Sequence, residues 1–367
     1  MNITLISDIY KDYITHLDKE LTIEGWVRTV RSSKTFGFIE LNDGSCFDNL
    51  QIVFTDALPN FSDAEKYPLG SALSITGKLI RSTGKGQEFE LQAARIDPVG
   101  ISSLENPIQK KRHTFEYLRT IPHLRPRTNT FKAVFRVRSL LAFAIHKFFQ
   151  ERNFVYIHTP ILTTIDAEGA GEMFKVTTLD MDKLPHNEKN EVDYSQELLG
   201  ANTHLTVSGQ LAVEPFCMAF RNVYTFGPTF RAENSNTPRH ANEFWMIEPE
   251  IAFAQLEEDM RLAEDMVKYL ISYVLDNAQS EMKFFNSFVD NQLLTRLENI
   301  VKSDFGAITY TEAIDLLKKS NKTFEYPTDW GENLQTEHER YITEHIVGGP
   351  TFILNYPKDI KASCYSQ

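Results

Sequence analysis

Between Leu21 and Ile96 five short runs, LTIEGWVRTV, FGFIEL, NLQIVF, SALSITGKL and EFELQAARI, are rich in β-formers and separated by turn-forming groups such as NDGS at 42–45 and STGKG at 82–86. Side chains that alternate in and out along such runs belong to strands with one buried face, and several of them in close succession curl into a small barrel. Five strands point to an OB-like β-barrel over residues 1–98, with other small barrels left open.

After Pro98 the pattern changes to ENPIQKKRHTFEYLRTIPHLRPRT, a basic, proline-containing stretch that reads as a connector over 99–130. Phe131, Val134, Phe135, Leu141, Ile145 and Phe148 then recur at helical spacing, so a helix over 131–152 should set an apolar stripe against a core or a partner subunit. A second long helix, predicted over 255–277, carries acids in its first turns, where the helix dipole favours them. Strand-like segments and a polar insertion at 180–204 lie between the two, which makes 131–367 a mixed, α+β domain. A chain of 367 residues also exceeds what one core usually organises.

Apolar residues make up 42% and charged residues 24%, as in an ordinary globular protein, and no apolar run approaches membrane-spanning length. The first residues lack a basic start and apolar core, so no secretory signal is expected. Cys46, Cys217 and Cys364 stand too far apart for a zinc cluster or a disulfide framework, and a reducing cytoplasm is the expectation. A net charge of −12 argues against nucleic-acid binding. Locally the sign reverses: Lys110, Lys111, Arg112, Arg119, Arg125, Arg127, Lys132, Arg136 and Arg138 face one acid, Glu116. A solvated linker and helix face would look the same.

Strand parity puts Ile39 and Leu41 inside the barrel and Phe38 outside, and on the next strand Leu50, Ile52 and Phe54 inside with Gln51 outside. An outward aromatic beside a bifunctional amide, with Arg28 on the neighbouring strand, could stack and read a splayed base. Single surface aromatics with polar neighbours are also common.

The densest chemistry lies in YTFGPTFRAENSNTPRHANEFWMIEPEIAF, Tyr224 to Phe253. Thr229, Arg231 and Glu233 share one parity, as do Phe244, Met246, Glu248 and Glu250 on the returning strand, with the polar loop NSNTPRHAN between them. If the two faces coincide, one surface offers an Arg for phosphate, an aromatic platform for adenine, carboxylates and a basic loop. Any one of these alone would be an exposed charge on a hairpin.

FRAE followed by RHANEFW resembles motif 2 of class II aminoacyl-tRNA synthetases, and FVYIHTPIL at 154–162 is similar to motif 1, the dimer-interface element, which ends in a proline, here Pro160. DAEGAGEMF at 166–174 resembles the loop that closes over the amino acid, and TVSGQLAVE at 206–214 the strand that holds its ammonium group. With the N-terminal barrel these resemble the aspartyl, asparaginyl and lysyl subgroup, from about Leu21 to Ala362. Aspartyl enzymes have a lysine where this chain has Val213, and TLDMDKLPHNEKNEVDYSQELLGANTHLTVSGQ, EFWMIEPE, EHERY and NYPKDIKA look asparaginyl.

The resemblance implies an OB-fold anticodon-binding domain and a class II catalytic domain with an antiparallel sheet. It also implies a homodimer that uses ATP and Mg²⁺ to load asparagine onto tRNA(Asn), with no membrane partner. Arg231 would hold the α-phosphate as the catalytic residue, Glu233 the adenine amino group, Phe244 the ring, and Arg239 and His240 the outer phosphates. Glu168, Ser208 and Gln210 would grip the substrate ammonium and backbone, and Glu248 would accept from the asparagine amide. Arg28, Phe38 and Gln51 would read the anticodon. The glycine-rich motif 3 and its neighbouring Mg²⁺ ligands are not in the sequence, so the catalytic domain is expected to be incomplete at its C-terminus. A non-catalytic fragment that binds RNA or dimerises, and an aspartyl-tRNA synthetase, are the alternatives.

Overall fold

The computed structural model describes residues 3–84, 86–167, 172–234 and 240–360. The chain divides into two compact units, Met1–Leu140 with Val274–Leu294, and Leu141–Tyr273 with Thr295–Gln367.

The first unit is organised by a closed barrel of β1 (Glu20–Ser32), β2 (Phe36–Asn42), β3 (Leu50–Thr55), β4 (Ala72–Arg81) and β5 (Phe89–Gly100) in the order β1-β2-β3-β5-β4. The runs in the sequence become these strands because their alternate residues fill one interior. Ile23, Val27, Ile39, Leu41, Leu50, Ile52, Ile75, Leu79 and Leu91 are buried in it. All pairings are antiparallel except that of β3 with β5. Gly77 is required where β4 crosses β5, since a Cβ there would lie 2.1 Å from the Gln92 carbonyl. Helix α1 (Ile6–Lys11) is followed by the single turn α2 (Tyr13–His16), and Ile6 and Ile9 of α1 pack into the barrel core. A further turn, α3 (Phe61–Ala64), adds Ala64 to that core.

The connector holds α4 (Phe115–Thr120) and leads into α5 (Asn129–Gln150). The β2–β3 loop is gripped from two sides. Asp43 and Ser45 accept the backbone N–H groups of Ile6 and Ser7, while Lys132 Nζ donates to Phe47 O and Arg136 to Gly44 O and Ser45 O. Helix α7 (Leu256–Asn277) is followed by α8 (Gln279–Phe288), which adds Ser280 Oγ on Asp48 and Phe284 against Phe47. The apolar stripe predicted for α5 is buried only in part: Ile145 and Phe148 are in a core, but Val134 and Phe135 are exposed. At that end of the helix the Lys132 and Arg136 contacts, rather than the stripe, hold it to its surroundings.

The second unit is built on a hairpin of β10 (Asn222–Phe230) and β11 (Glu243–Ile251), joined on the β10 side by the parallel β6 (Val155–Tyr156). Antiparallel pairing is thus carried by the hairpin. One face of it, Tyr224, Phe226, Ile247 and Ile251, packs with Ile145, Phe148 and Phe149 of α5 and Leu262, Met266 and Tyr269 of α7. A small sheet of β7 (Leu162–Thr163), β9 (Thr203–Leu205) and β8 (Lys175–Val176) precedes α6 (Gln210–Phe220). After α9 (Leu293–Lys302) come β12 (Gly306–Thr309), α10 (Tyr310–Lys319), α11 (Thr336–Tyr341) and β13 (Thr351–Leu354), with β12 and β13 parallel. Thr309 and Glu312 form a capping box at the start of α10. Among the described residues no helix is long and apolar enough to cross a membrane.

Candidate active site

The register of the hairpin decides whether its two polar faces coincide. Thr229 is opposite Phe244, Gly227 opposite Met246, Thr225 opposite Glu248 and Val223 opposite Glu250, so these residues share one face, the one turned away from the aromatic core. The small residues are all on β10. A Cβ at Gly227 would meet nothing within 4 Å, so this part of the face is open.

Arg231 lies one residue past the end of β10, yet the ladder continues: its N–H donates to Asn242 O at 3.0 Å and Asn242 Nδ2 donates to Arg231 O at 2.8 Å. That keeps its side chain on the face of Phe244, and the guanidinium carbon lies 5.7 Å from the ring centre. Glu233 is half-buried beyond it, and His240 is exposed. Glu168 and Arg239, like Cys364, lie outside the described residues.

Ser208 reaches the same face by a separate route. Phe230 N–H donates to Thr206 O at 2.9 Å, so the segment after β9 runs beside the end of β10. Thr206 Oγ1 donates to Ser208 O at 2.7 Å, which turns the chain into α6. The Ser208 hydroxyl then donates to Glu248 Oε1, and the Gly209 N–H lies 3.0 Å from Oε2 and 3.2 Å from Oε1. The Glu248 carboxylate is therefore fixed by donors from the start of α6, where the helix dipole also favours a negative group. A Cβ on Gly209 would come within 2.5 Å of Thr159 Oγ1 and 2.9 Å of Thr225 Cγ2, so only glycine lets the backbone approach this closely. Gln210 does not join Glu248: its amide donates along the helix to Glu214 Oε1 at 3.2 Å. Val213 is fully buried.

On the barrel, Phe38 and Gln51 share the outer face, since Phe38 pairs with Val53 and Glu40 with Gln51. Phe38 is half-buried, edge-on to Phe36 at 5.5 Å, and the cation over its ring is Arg31 at 5.9 Å. Arg28 is not brought to Phe38. A register shift between Val27 and Thr29 turns it elsewhere, and it donates to Arg127 O at 2.7 Å and Asn129 Oδ1 at 2.9 Å. Gln51 donates to Glu90 Oε2, which also accepts from Ser82 Oγ and Gln87 Nε2. Arg31, Glu90 and Gly209 were not singled out from the sequence. Arg31 carries a local signal, being in register with Phe38, but Glu90 and Gly209 gain their partners only through the fold.

An OB-like barrel joined to a domain built on this hairpin, with an Arg–Phe pair and a fixed carboxylate on its open face, is the architecture of a class II tRNA synthetase. Residues 115–367 match the family described as tRNA synthetases class II (D, K and N), and residues 21–99 match the OB-fold nucleic acid binding domain. The chain is 64% identical over 362 residues to the asparagine–tRNA ligase of Desulfitobacterium hafniense (strain Y51), covering 99% of this chain and 78% of that one. It is 63% identical over 363 residues to that of Acetivibrio thermocellus, with the same coverage of each chain. Among solved structures it superposes on the asparaginyl-tRNA synthetase of Pyrococcus horikoshii complexed with asparaginyl-adenylate, with a TM-score of 0.81 at 26% identity, over 99% of this chain and 76% of that one. The chain belongs to the class II tRNA synthetases, in their asparagine–tRNA ligase branch.

Proposed function

We propose that this chain activates asparagine with ATP and transfers it to the 3′ end of tRNA(Asn). The observation that carries the proposal is the Glu248 carboxylate, held by Ser208 and Gly209 on the open face that also bears Arg231 and Phe244. A fixed carboxylate accepts from an amide N–H₂ and repels a second carboxylate, and the buried Val213 offers aspartate no cation.

In the first step a carboxylate oxygen of asparagine attacks the α-phosphorus of ATP, and the bond to the bridging oxygen breaks to release pyrophosphate. Two anions must meet, so neutralisation and alignment dominate. Arg231 takes the α-phosphate, its guanidinium aligned by Phe244, which stacks the adenine; Glu233 accepts from the adenine amino group. Arg239 and His240 take the outer phosphates. Ser208, Gln210 and Glu168 orient the substrate backbone and ammonium group. In the second step the terminal ribose hydroxyl of tRNA displaces AMP. The family uses Mg²⁺ with ATP, and among the described residues no three of His, Cys, Asp and Glu are placed to hold a metal ion.

Anticodon reading is assigned to the outer barrel face, with Phe38 stacking a base and Gln51, already tied to Glu90, reading its edge. Arg28 supports that surface by its bonds to the connector. Self-association is assigned to the segment ending in the exposed Pro160, supported by the exposed Phe143 and Tyr156. The reaction is placed in the cytoplasm, with its tRNA.

ATP–pyrophosphate exchange by the purified chain tests the proposal. Exchange that depends on asparagine and not aspartate supports it. Exchange driven by aspartate would make the chain an aspartyl enzyme, and tRNA binding without any exchange would make it a non-catalytic RNA-binding module.

A further inference from the structure

Between β8 and β9 the chain makes the polar excursion seen in the sequence at 180–204, and it leaves and returns through one neck. The side chain at that neck is Glu197, only 9% exposed. One carboxylate oxygen accepts from the Thr177 hydroxyl, and the other accepts from the Thr178 N–H at 3.0 Å and the Thr178 hydroxyl at 2.9 Å. Thr177 Oγ1 in turn accepts from the Leu179 N–H at 3.0 Å, so the outgoing chain is turned where Glu197 holds it. Thr177, then the Thr178 N–H, keep the carboxyl below the usual carboxylate range, so the neck is closed at neutral pH. On the return, Gly200 N–H donates to Glu197 O at 2.9 Å, in a turn whose φ of +67° suits glycine. A second tie lies beside it, where Lys175 Nζ donates to Tyr194 OH at 2.7 Å.

The neck leads straight into β9. That strand is held from both sides: His204 is opposite Lys175 and Thr163, Leu205 N–H donates to Phe174 O and Thr206 N–H to Ile161 O, both at 2.9 Å. Two residues further on, the Ser208 hydroxyl donates to Glu248. With two residues in β8 and three in β9, the ladder alone specifies register weakly. Closing a long loop between them is entropically unfavourable, and the Glu197 contacts offset that cost at the point where β9 starts. The tip of the excursion is instead closed on itself. Asn190 N–H donates to Asn187 O and Asn187 N–H to Glu191 O, both at 2.9 Å, and Asp193 N–H donates to Pro185 O at 2.8 Å.

We propose that Glu197 is a positioning residue for asparagine binding: by closing the neck of the insertion it sets the register of β9, and so the place of Ser208 against Glu248, while the tip takes no part. The inference rests on the assignment of Ser208 and Glu248 to asparagine. Arg231 and Phe244, assigned to ATP, are aligned within the hairpin by Asn242 and the pairing of β10 with β11, so ATP binding should not sense the neck.

The test is calorimetric titration of asparagine and of ATP into the full chain, its Glu197→Ala, Glu197→Gln and Thr177→Val variants, and a variant with 187–191 replaced by Gly-Gly. Amide hydrogen exchange is read at Leu205 and Thr206, and circular dichroism confirms folding. Glu197→Ala should weaken asparagine about tenfold, leave ATP within about twofold and speed exchange at both amides. Glu197→Gln, which keeps an acceptor for Thr178, should recover most of the loss. Thr177→Val, which removes one donor, should shift both readouts less and in the same direction, and it decides the matter if Glu197→Ala does not fold. The tip variant should match wild type in both affinities. Unchanged asparagine affinity and unchanged exchange in the folded variants overturn the inference. So does an equal loss of ATP affinity, which would make Glu197 merely structural, or a tip variant as weak for asparagine as Glu197→Ala. Faster exchange at Leu205 and Thr206 with asparagine affinity intact separates the two levels: the neck then holds β9, but the assignment of Ser208 to the asparagine site fails.

Discussion

Gly209 and Glu248 are locked together: the Gly209 N–H lies within hydrogen-bond reach of both carboxylate oxygens, and any Cβ at Gly209 would sit 3.2 Å from Oε2 while pressing harder on Thr159 and Thr225. Gly209→Ala should therefore displace the carboxylate rather than unfold the chain. Overpacking of this kind costs about 1–3 kcal/mol. Titration with asparagine should show at least tenfold weaker binding, while tRNA retention on filters stays at the wild-type level. Wild-type asparagine affinity in Gly209→Ala would mean that Glu248 does not need its backbone donor.

The Arg231–Phe244 pair predicts coupled losses. With the guanidinium over the ring, either alanine variant removes part of the other's alignment. A double-mutant cycle on ATP affinity should give a coupling energy of about 1 kcal/mol. Strict additivity would show the two act independently.

Arg136 and Glu281 should matter for stability alone. Their Nε–Oε1 distance is 2.8 Å, and the Glu281 side chain is only 9% exposed. Removing one partner of a buried pair costs about 3–5 kcal/mol, which falls to about 2–3 kcal/mol here because Arg136 is 35% exposed. Arg136→Ala should lower the urea midpoint of the unit that contains the barrel, whereas Glu281→Met in the same background should recover part of the loss.

Lys132 gives a pH signature. Burial, then the like charges of Arg28 and Arg136, lower its ammonium from 10.5 to about 8 against the opposing pull of Cys46 and Asp48. Between these values the unfolded chain binds the extra proton, so the Lys132 contribution to stability rises with pH from about 8 to 10.5. Cys46 opposes it: burial, Asp43 and Asp48 raise its thiol from 9.0 to about 11, so its contribution falls across that range. Urea melts at pH 7.5 and 9 should show wild type gaining on Lys132→Met at the higher pH. A constant gap between the two would remove Lys132 from the account.

Parity was legible in the sequence because the strand period is local. It placed Ile39, Leu41, Ile52 and Phe54 inside the barrel and put Phe244, Glu248 and Glu250 on one face. The grouping of Arg28 with Phe38 does not form, because one extra residue in β1 shifts the register between Val27 and Thr29, and no residue type there announces the bulge. The stripe on α5 was legible as helical but not as buried. Val134 and Phe135 have the right spacing, yet burial depends on what arrives opposite, which local periodicity does not encode. The Ser208–Glu248 bond spans 40 residues and exists only because the segment after β9 is drawn beside the end of β10.

The central claim, that Glu248 selects a carboxamide within an adenylate-forming site, is tested most directly with paired non-hydrolysable analogues, asparaginyl and aspartyl sulfamoyl-adenosine. Binding of each to the full chain and to Glu248→Gln is measured by calorimetry. Wild type should bind the asparaginyl compound at least a hundredfold more tightly. A lost hydrogen bond of about 1–3 kcal/mol should weaken that compound about fivefold or more in Glu248→Gln, and removal of the repelling charge should tighten the aspartyl compound. Equal affinities in wild type, or an asparaginyl affinity untouched by Glu248→Gln, would contradict the account.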